Sequence, residues 1–269
     1  MVGIMRTSRD YKILARQRMF KTYGTLAGGT AIYGAIYVAV VLAIMVAYTL
    51  NLLAKGVFAS IAEMENYMET SMNSLSFFFI SQVVMVLVGA LMSTLSVAIQ
   101  YMCLKTARAE KASIADLLYV VKNNPDKVII IYVVQQLFMF LFALPSNLLS
   151  IVIDTRANIG LEMVHLILMI LGYVADIIIV ALFSQAMFLY IDNPEESSLK
   201  CIEMSYHVMA KHMGRYILLF ISFIPLQILA AFTFGIMYLW VLPYQYTAFA
   251  LFYMQLKGEL GSTIDVTIQ

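Results

Sequence analysis

The chain has 269 residues, of which 62% are hydrophobic and 12% charged, and its mean hydropathy is +0.86. A soluble globular domain carries about 25% charged residues, so this chain has too little charge to cover a soluble surface. Its net charge of +1 also lacks the basic excess that a nucleic-acid partner requires. We therefore predict an all-α fold, a polytopic transmembrane helical bundle whose first partner is the lipid bilayer.

Apolar segments follow one another along most of the chain. A helix that crosses a bilayer needs ~20 apolar residues, and six segments meet or approach this length. They are roughly 26–53, 75–103, 128–152, 163–190, 216–233 and 236–256. We predict a basic amphipathic segment over 1–24 that lies on the membrane surface, a six-span transmembrane domain over 25–257, and a cytoplasmic tail over 258–269.

Prolines and a glycine mark the irregular points of these spans. Pro145 interrupts the third segment, so the span proper is expected to end near residue 144. The last two segments are separated only by residues 233–235, and we interpret them as a tight hairpin that turns at Gly235 and is kinked by Pro225 and Pro243. An alternative with five spans treats 216–256 as one broken helix.

The distribution of basic residues predicts the orientation. With six spans, all Lys and Arg residues except Lys55 and Arg156 fall on one side, which the positive-inside rule assigns to the cytoplasm. The other side is acidic and contains Glu63, Glu65, Glu69, Asp154 and Glu162. The sequence therefore predicts a multi-pass protein of the cell membrane with both termini cytoplasmic.

Two cytoplasmic connections contain helix signals. Ser113 and Asp116 have the spacing of a capping box, which predicts a short helix before the third span. The stretch 192–196, Asp-Asn-Pro-Glu-Glu, predicts the start of a second amphipathic helix. Its expected apolar stripe is Leu199, Ile202, Tyr206, Met209 and Met213.

The first span contains small residues at a spacing of four. Ala31, Ala35, Ala39 and Ala43 form one continuous stripe on a helix, and such stripes let another helix approach closely in a membrane. We expect this stripe to pack inside the bundle. Self-association of two copies through the stripe is the alternative.

The C-terminal third contains a recognisable series of short motifs. The series comprises residues 190–194 (Tyr-Ile-Asp-Asn-Pro), Ser205, Met209, residues 222–224 (Ser-Phe-Ile), residues 233–235 (Thr-Phe-Gly), Trp240, residues 243–244 (Pro-Tyr) and residues 252–253 (Phe-Tyr). In these motifs the chain resembles the bacterial integral membrane family known as domain of unknown function 975, best over about 80 residues. It departs from the family pattern at residues 210–211 and 225–226. The resemblance implies a bacterial multi-span membrane protein and supplies no catalytic residues.

Asp176 is the acidic residue that lies deepest in a predicted span. An ionised carboxylate near the middle of a bilayer costs ~3 kcal/mol on insertion scales, and no Lys or Arg is predicted at a comparable depth. A proton- or cation-coupled site is one interpretation. The alternative is a neutral acid that is hydrogen-bonded across a helix interface, with Tyr173 or a glutamine as its partner.

Five glutamines in the predicted spans are the other candidate members of this site. They are Gln82, Gln135, Gln136, Gln185 and Gln227. Clustered around Asp176, their amides would line a polar cavity; as separate contacts between helices, they would each stabilise packing by ~0.6 kcal/mol.

Motifs of enzymes and of metal or cofactor sites do not occur in the sequence. It contains no P-loop, dinucleotide fingerprint, His-Glu-x-x-His helix or nucleophile elbow, and His165, His207 and His212 are too dispersed for a metal site. We expect no catalytic residues, no cofactor and no enzymatic activity. Two functions remain: a transport- or export-associated membrane component, which we favour, and a non-transporting interaction, scaffold or self-protection protein. Either one would work with a partner membrane protein or exporter subunit.

Overall fold

The computed structural model describes residues 6–67, 70, 74–152 and 159–260, and over these residues the regular elements are helices. The twelve α-helices that it describes are α1 (Ser8–Met19), α2 (Tyr23–Ala54), α3 (Ile61–Tyr67), α4 (Leu75–Ala107), α5 (Tyr119–Lys122), α6 (Pro125–Val152), α7 (Ile159–Phe183), α8 (Ala186–Asp192), α9 (Ser198–Met209), α10 (Met213–Ile221), α11 (Ile224–Phe232) and α12 (Tyr238–Leu256). A 3₁₀-helix, Ile114–Leu118, precedes α5.

Five helical segments are long and apolar enough to cross a membrane. They are Tyr23–Ala54, Leu75–Ala107, Pro125–Ile151, Ile159–Asp192 and Met213–Phe232. These segments confirm the predicted all-α membrane class. The sixth predicted span corresponds to α12, which is not among these five segments. Its tyrosines and glutamines make it less apolar than they are.

The last three helices form the predicted hairpin. Phe234 and Gly235 turn the chain with φ values of 51° and 85°, a left-handed conformation that glycine adopts without strain. Gln227 on α11 donates to Gln245 Oε1 on α12 at 2.9 Å, so the two arms run side by side. Pro225 lies in the first turn of α11, where proline is tolerated, so it begins a new helix. Pro243 lies inside α12.

The helix of the third span covers the whole predicted segment 128–152, and the earlier end near residue 144 that Pro145 suggested is wrong. The helix α6 continues through Pro145 to Val152, as proline-containing membrane helices can when neighbouring groups satisfy the freed carbonyl. Three charges of the orientation argument, Glu69, Asp154 and Arg156, lie outside the described residues, as do residues 1–5 and 261–269 of the two predicted terminal segments.

The chain divides into two compact units. The first consists of Met1–Tyr33, Ser93–Ile131 and Val180–Gln269, and the second of Gly34–Met92 and Tyr132–Ile179. The helices α2, α4, α6 and α7 contribute residues to both.

Helix α12 forms the centre of the first unit. It buries most of its residues from Val241 to Met254, and α1 packs beside it through the fully buried Ala15 and Met19 and through an edge-to-face contact between Tyr11 and Phe252. The apolar side of the basic N-terminal helix therefore contacts protein. This corrects the expectation that the segment lies on lipid through its apolar face.

Helix α9 begins later than the sequence predicted. Its N-cap is Ser197, whose hydroxyl accepts from Lys200 N, whereas Asp192 ends α8. Serine competes well for this position because its side chain satisfies a free backbone N–H of the first turn. The helix buries Ser198, Cys201, Ser205 and Met209. Of the predicted apolar stripe, Leu199 and Tyr206 are exposed.

Close contacts between α4, α6 and α7 build the second unit. The Tyr132 hydroxyl lies over Gly89, where a Cβ atom would be only 1.8 Å away, and Gly172 packs against the backbone of Ala143. Phe78 and Phe140 stack with ring centroids 6.2 Å apart. Glycines at such points let helices approach closely in a membrane.

The alanine stripe of α2 does not take part in this packing. Its four members are exposed: Ala31, Ala35, Ala39 and Ala43. The expectation that the stripe packs inside the bundle is therefore corrected. The buried part of α2 is its first two turns, at Leu26, Gly29 and Thr30.

Candidate polar groove

A groove in the second unit contains the predicted intramembrane acid. The groove has a volume of about 470 Å³ and is lined by residues of α4, α6 and α7. Its walls are apolar, with Phe79 and Phe140 among them, and its polar lining consists of Gln82, Gln136, Asn147 and Asp176. We call it the polar groove.

The Asp176 carboxylate lacks a hydrogen bond to the described protein. Its Oδ1 atom is buried, yet it has no hydrogen-bond partner among these residues. A buried polar atom without a partner costs ~1–3 kcal/mol, and a carboxylate in a membrane costs more when it is ionised. The groove therefore holds an acceptor that a proton, a cation or a donor group would satisfy.

Two amides in the groove are placed differently. Gln136 donates through Nε2 to the Tyr132 hydroxyl at 2.8 Å, one turn earlier on α6, and Gln82 approaches from α4. Gln135, the neighbour of Gln136, does not line the groove. Adjacent residues on a helix point about 100° apart, so only one of this pair reaches the groove.

Other residues of the predicted site lie elsewhere. Tyr173 is 61% exposed and is absent from the groove lining. Gln185 and Gln227 belong to the first unit, where Gln185 is buried and donates to Ser184 Oγ, and Gln227 pairs with Gln245. Gln135, Gln185 and Gln227 therefore do not line the polar groove, and the bond from Gln227 to Gln245 fits the alternative of separate contacts between helices.

Asn147 is a groove residue that sequence reasoning missed. It lies two residues after Pro145, in the part of α6 that was expected to lie outside the span. A continuous helix places Asn147 at the groove. The sequence could have indicated Asn147, because an asparagine inside a membrane span is energetically costly unless its amide faces the protein interior.

A second polar cluster, which the sequence did not predict, lies in the first unit around Asp192. Arg108 binds the Asp192 carboxylate with both terminal nitrogens, at 2.8 and 2.7 Å. Tyr253 and Lys257 also donate to Asp192 Oδ2, at 2.7 and 2.6 Å. Glu259 accepts from Arg108 and lies 3.1 Å from Lys257 Nζ. We call these five residues the ion-pair cluster.

The ion-pair cluster favours the charged forms of Arg108, Lys257 and Glu259. The hydrogen bond to Asp192 raises the pKa of Arg108. Burial opposes the charge of Lys257, but hydrogen bonds to Asp192 and Glu259 outweigh it and raise the pKa of this lysine. Burial would raise the pKa of Glu259, yet hydrogen bonds from Arg108 and Lys257 lower it. These charge-assisted hydrogen bonds therefore hold together the ends of α4, α8 and α12.

The described residues contain no group of three or more His, Cys, Asp or Glu side chains that could hold a metal ion. The cysteines Cys103 and Cys201 are both free and buried.

These features define a multi-pass helical membrane protein with a polar groove in one unit. The match to a family model narrows the class: residues 36–259 match the family described as protein of unknown function (DUF975). The chain belongs to this family, and the match extends well beyond the C-terminal 80 residues that carry the visible resemblance. A search of curated proteins and a search of solved structures found no match.

Proposed function

We propose that this protein is a transport- or export-associated component of a bacterial cell membrane, with both termini in the cytoplasm. Its working site is the polar groove, in which Asp176 binds the proton or cation that couples to substrate movement. The observation that carries this proposal is the buried Asp176 Oδ1 atom, which has no partner among the described residues and belongs to a side chain that lines a groove of about 470 Å³.

The composition of the groove supports ion binding. None of its lining residues is Lys or Arg, so no side chain of the groove neutralises Asp176. The side-chain oxygens of Gln82 and Asn147 are hard ligands of the kind that small cations take from proteins. Ionisable residues inside membrane segments commonly mark ion or substrate pathways.

The experiment compares Asp176→Asn with Glu162→Gln in proteoliposomes. Both substitutions neutralise an acid on α7, but Glu162 lies in the first turn of that helix, away from the groove. We expect Asp176→Asn to abolish proton- or sodium-driven ion flux, measured with a pH-sensitive dye and with labelled sodium. Glu162→Gln should behave like the wild type.

A second pair of variants tests the groove without altering charge. Gln136 lines the groove and Gln135 does not, so Gln136→Leu should reduce flux by roughly tenfold, the effect of losing about 1.4 kcal/mol of ligand interaction, while Gln135→Leu should leave it unchanged. Wild-type flux in Asp176→Asn would eliminate the proposal.

A non-transporting interaction, scaffold or self-protection protein is the second candidate. It is favoured by α9, where Leu199 and Tyr206 are exposed at 65% and 53%. Photo-crosslinkers placed at these two positions should then capture one stoichiometric protein partner, such as an exporter subunit. Recovery of lipid alone would count against this function.

A further inference from the structure

A basic cavity lies in the first unit where α1 and α10 meet. It has a volume of about 540 Å³ and is lined by Arg6, Thr7, Ser8, Arg9, Tyr11, Arg215 and Leu218. Thr7 caps α1, Ser8, Arg9 and Tyr11 lie at the start of this helix, and Arg6 precedes the cap. Arg215 and Leu218 belong to the first two turns of α10. The cavity is separate from the polar groove, and no part of the following argument rests on Asp176.

Three guanidinium groups give the basic cavity its charge. None of its lining residues carries a carboxylate. The nearby Asp10 is engaged in the helix cap, where its Oδ2 atom accepts from the Thr7 backbone N–H at 2.8 Å and from the Thr7 hydroxyl at 2.7 Å. Among the described residues, three arginines against Asp10 leave a positive charge at this cavity.

The charges of the three arginines act on Asp10 and Tyr11, two neighbouring residues of α1. The hydrogen bonds from Thr7, with the charges of Arg6 and Arg9, lower the pKa of Asp10. Burial raises the pKa of Tyr11, and the charges of Arg6 and Arg215 oppose that rise. The guanidinium groups from two helices therefore act on one small region, which favours a bound anion.

The surroundings indicate a phosphate group that is attached to a lipid. Arg215 and Leu218 are three residues apart and share a face of α10, and Leu218 is 63% exposed. This helix begins the candidate membrane span Met213–Phe232, so Arg215 lies at the end of a span and an exposed apolar surface begins one turn further. An acidic phospholipid would place its phosphate group beside the arginines and its acyl chains beside Leu218, which matches the order of these residues along α10.

We propose that the basic cavity binds the phosphate group of an acidic phospholipid. Arginine forks match phosphate oxygens in pairs, and Ser8 adds a further polar residue to the cavity lining. Basic pockets between membrane helices recognise lipid headgroups by this chemistry.

The test measures lipid binding by the full chain in nanodiscs of phosphatidylcholine with and without phosphatidylglycerol. Retained lipid is counted by native mass spectrometry, and affinity is taken from a lipid titration. The triple variant R6Q/R9Q/R215Q should lose roughly 100-fold in phosphatidylglycerol affinity, since each basic residue near an anionic lipid contributes about fivefold. Far-UV circular dichroism verifies that the variant is folded.

A control triple variant removes the same charge from the same region. Arg18, Lys21 and Lys211 are exposed and do not line the basic cavity. R18Q/K21Q/K211Q should lose less than tenfold, because these three charges lie outside the basic cavity and act on the lipid only through screened, long-range attraction. If the cavity triple does not fold, the exposed Arg215→Gln alone should lose about fivefold.

Three results would overturn the proposal. Equal losses in the two triple variants would mean that only general surface charge attracts the lipid. Equal binding of phosphatidylcholine would remove the requirement for an acidic headgroup. Saturation of the cavity by inorganic phosphate, with thermal stabilisation equal to that from phosphatidylglycerol, would assign the site to free phosphate.

Discussion

Two carboxylates, one in each unit, differ in their hydrogen bonding. In the first unit, Asp192 accepts hydrogen bonds from Arg108, Tyr253 and Lys257, and its side chain is only 9% exposed. In the second unit, Asp176 has a buried oxygen that lacks any partner among the described residues. A fully paired carboxylate fixes local structure, whereas an unpaired one is available to a ligand.

Two phenylalanines, one from each unit, differ in burial in the same sense. Phe252 in the first unit is completely buried, while Phe79 at the polar groove is 46% exposed. The paired Asp192 and the buried Phe252 both belong to the first unit, although Gln185 Oε1 and Thr247 Oγ1 of this unit are also buried without a hydrogen-bond partner among the described residues. Open walls and an unsatisfied acid coincide in the second, which indicates that stability and the proposed function reside in different units.

The largest expected effect comes from removing a buried ring. Phe252→Ala should lower the free energy of unfolding by about 3 kcal/mol, because it leaves a cavity against Tyr11 and Tyr216. Phe79→Ala should cost less than about 1 kcal/mol, since a side chain exposed to lipid or detergent is already in apolar surroundings. Thermal unfolding in detergent measures both, and equal losses would contradict the comparison between the units.

Neutralising the two carboxylates should have opposite consequences. Asp192→Asn leaves Arg108 and Lys257 without their main acceptor and should lower the free energy of unfolding by about 2–3 kcal/mol. This is a small loss for a buried ion pair, because both cations are partly exposed. Asp176→Asn should leave stability unchanged or raise it, since no described hydrogen bond is lost. Denaturant titration of both variants provides the measurement, and a clear loss in Asp176→Asn would show that this acid is structural.

Acid should weaken the ion-pair cluster by a smaller amount. Because the pKa of Glu259 is lowered from 4.5 in the folded state, its contribution is present above pH 4.5 and is lost as the pH falls through the folded value. We expect the stability difference between wild type and Glu259→Gln to be about 1 kcal/mol or less near neutral pH, as for a mostly exposed pair, and to vanish well below pH 4.5. A difference that persists in acid would mean that Glu259 acts through packing.

The sequence predicted the elements whose signals are local. The length of the apolar segments located the long helices, and the Thr-Phe-Gly stretch at residues 233–235 located the hairpin turn. The spacing of Ser113 and Asp116 located a short helix, which the structure forms as a 3₁₀-helix with a hydrogen bond from Ser113 N to Asp116. Each of these signals depends on residues within a few positions of one another.

Features that depend on distant residues were not predictable in the same way. Asp192 was interpreted as a helix cap because its neighbours fit that pattern, but its partners Arg108 and Lys257 are 84 and 65 residues away. Similarly, nothing in the basic sequence of α1 indicates that α12 covers its apolar side. Of the candidate site, the sequence identified Asp176, Gln82 and Gln136, and it missed Asn147 because Pro145 was taken as the end of the helix.

The packing of α1 on α12 has a consequence for how the protein is made. The Tyr11 hydroxyl donates to Gln255 of α12 across a separation of 244 residues. Helix α1 therefore leaves the ribosome long before α12, which covers its apolar side, has been synthesised. At typical elongation rates this delay is roughly 10–50 s, during which the buried side of α1 must be sheltered by lipid, a chaperone or the insertion machinery. Once α12 has been released, it can cover the buried side of α1 and complete these contacts of the first unit.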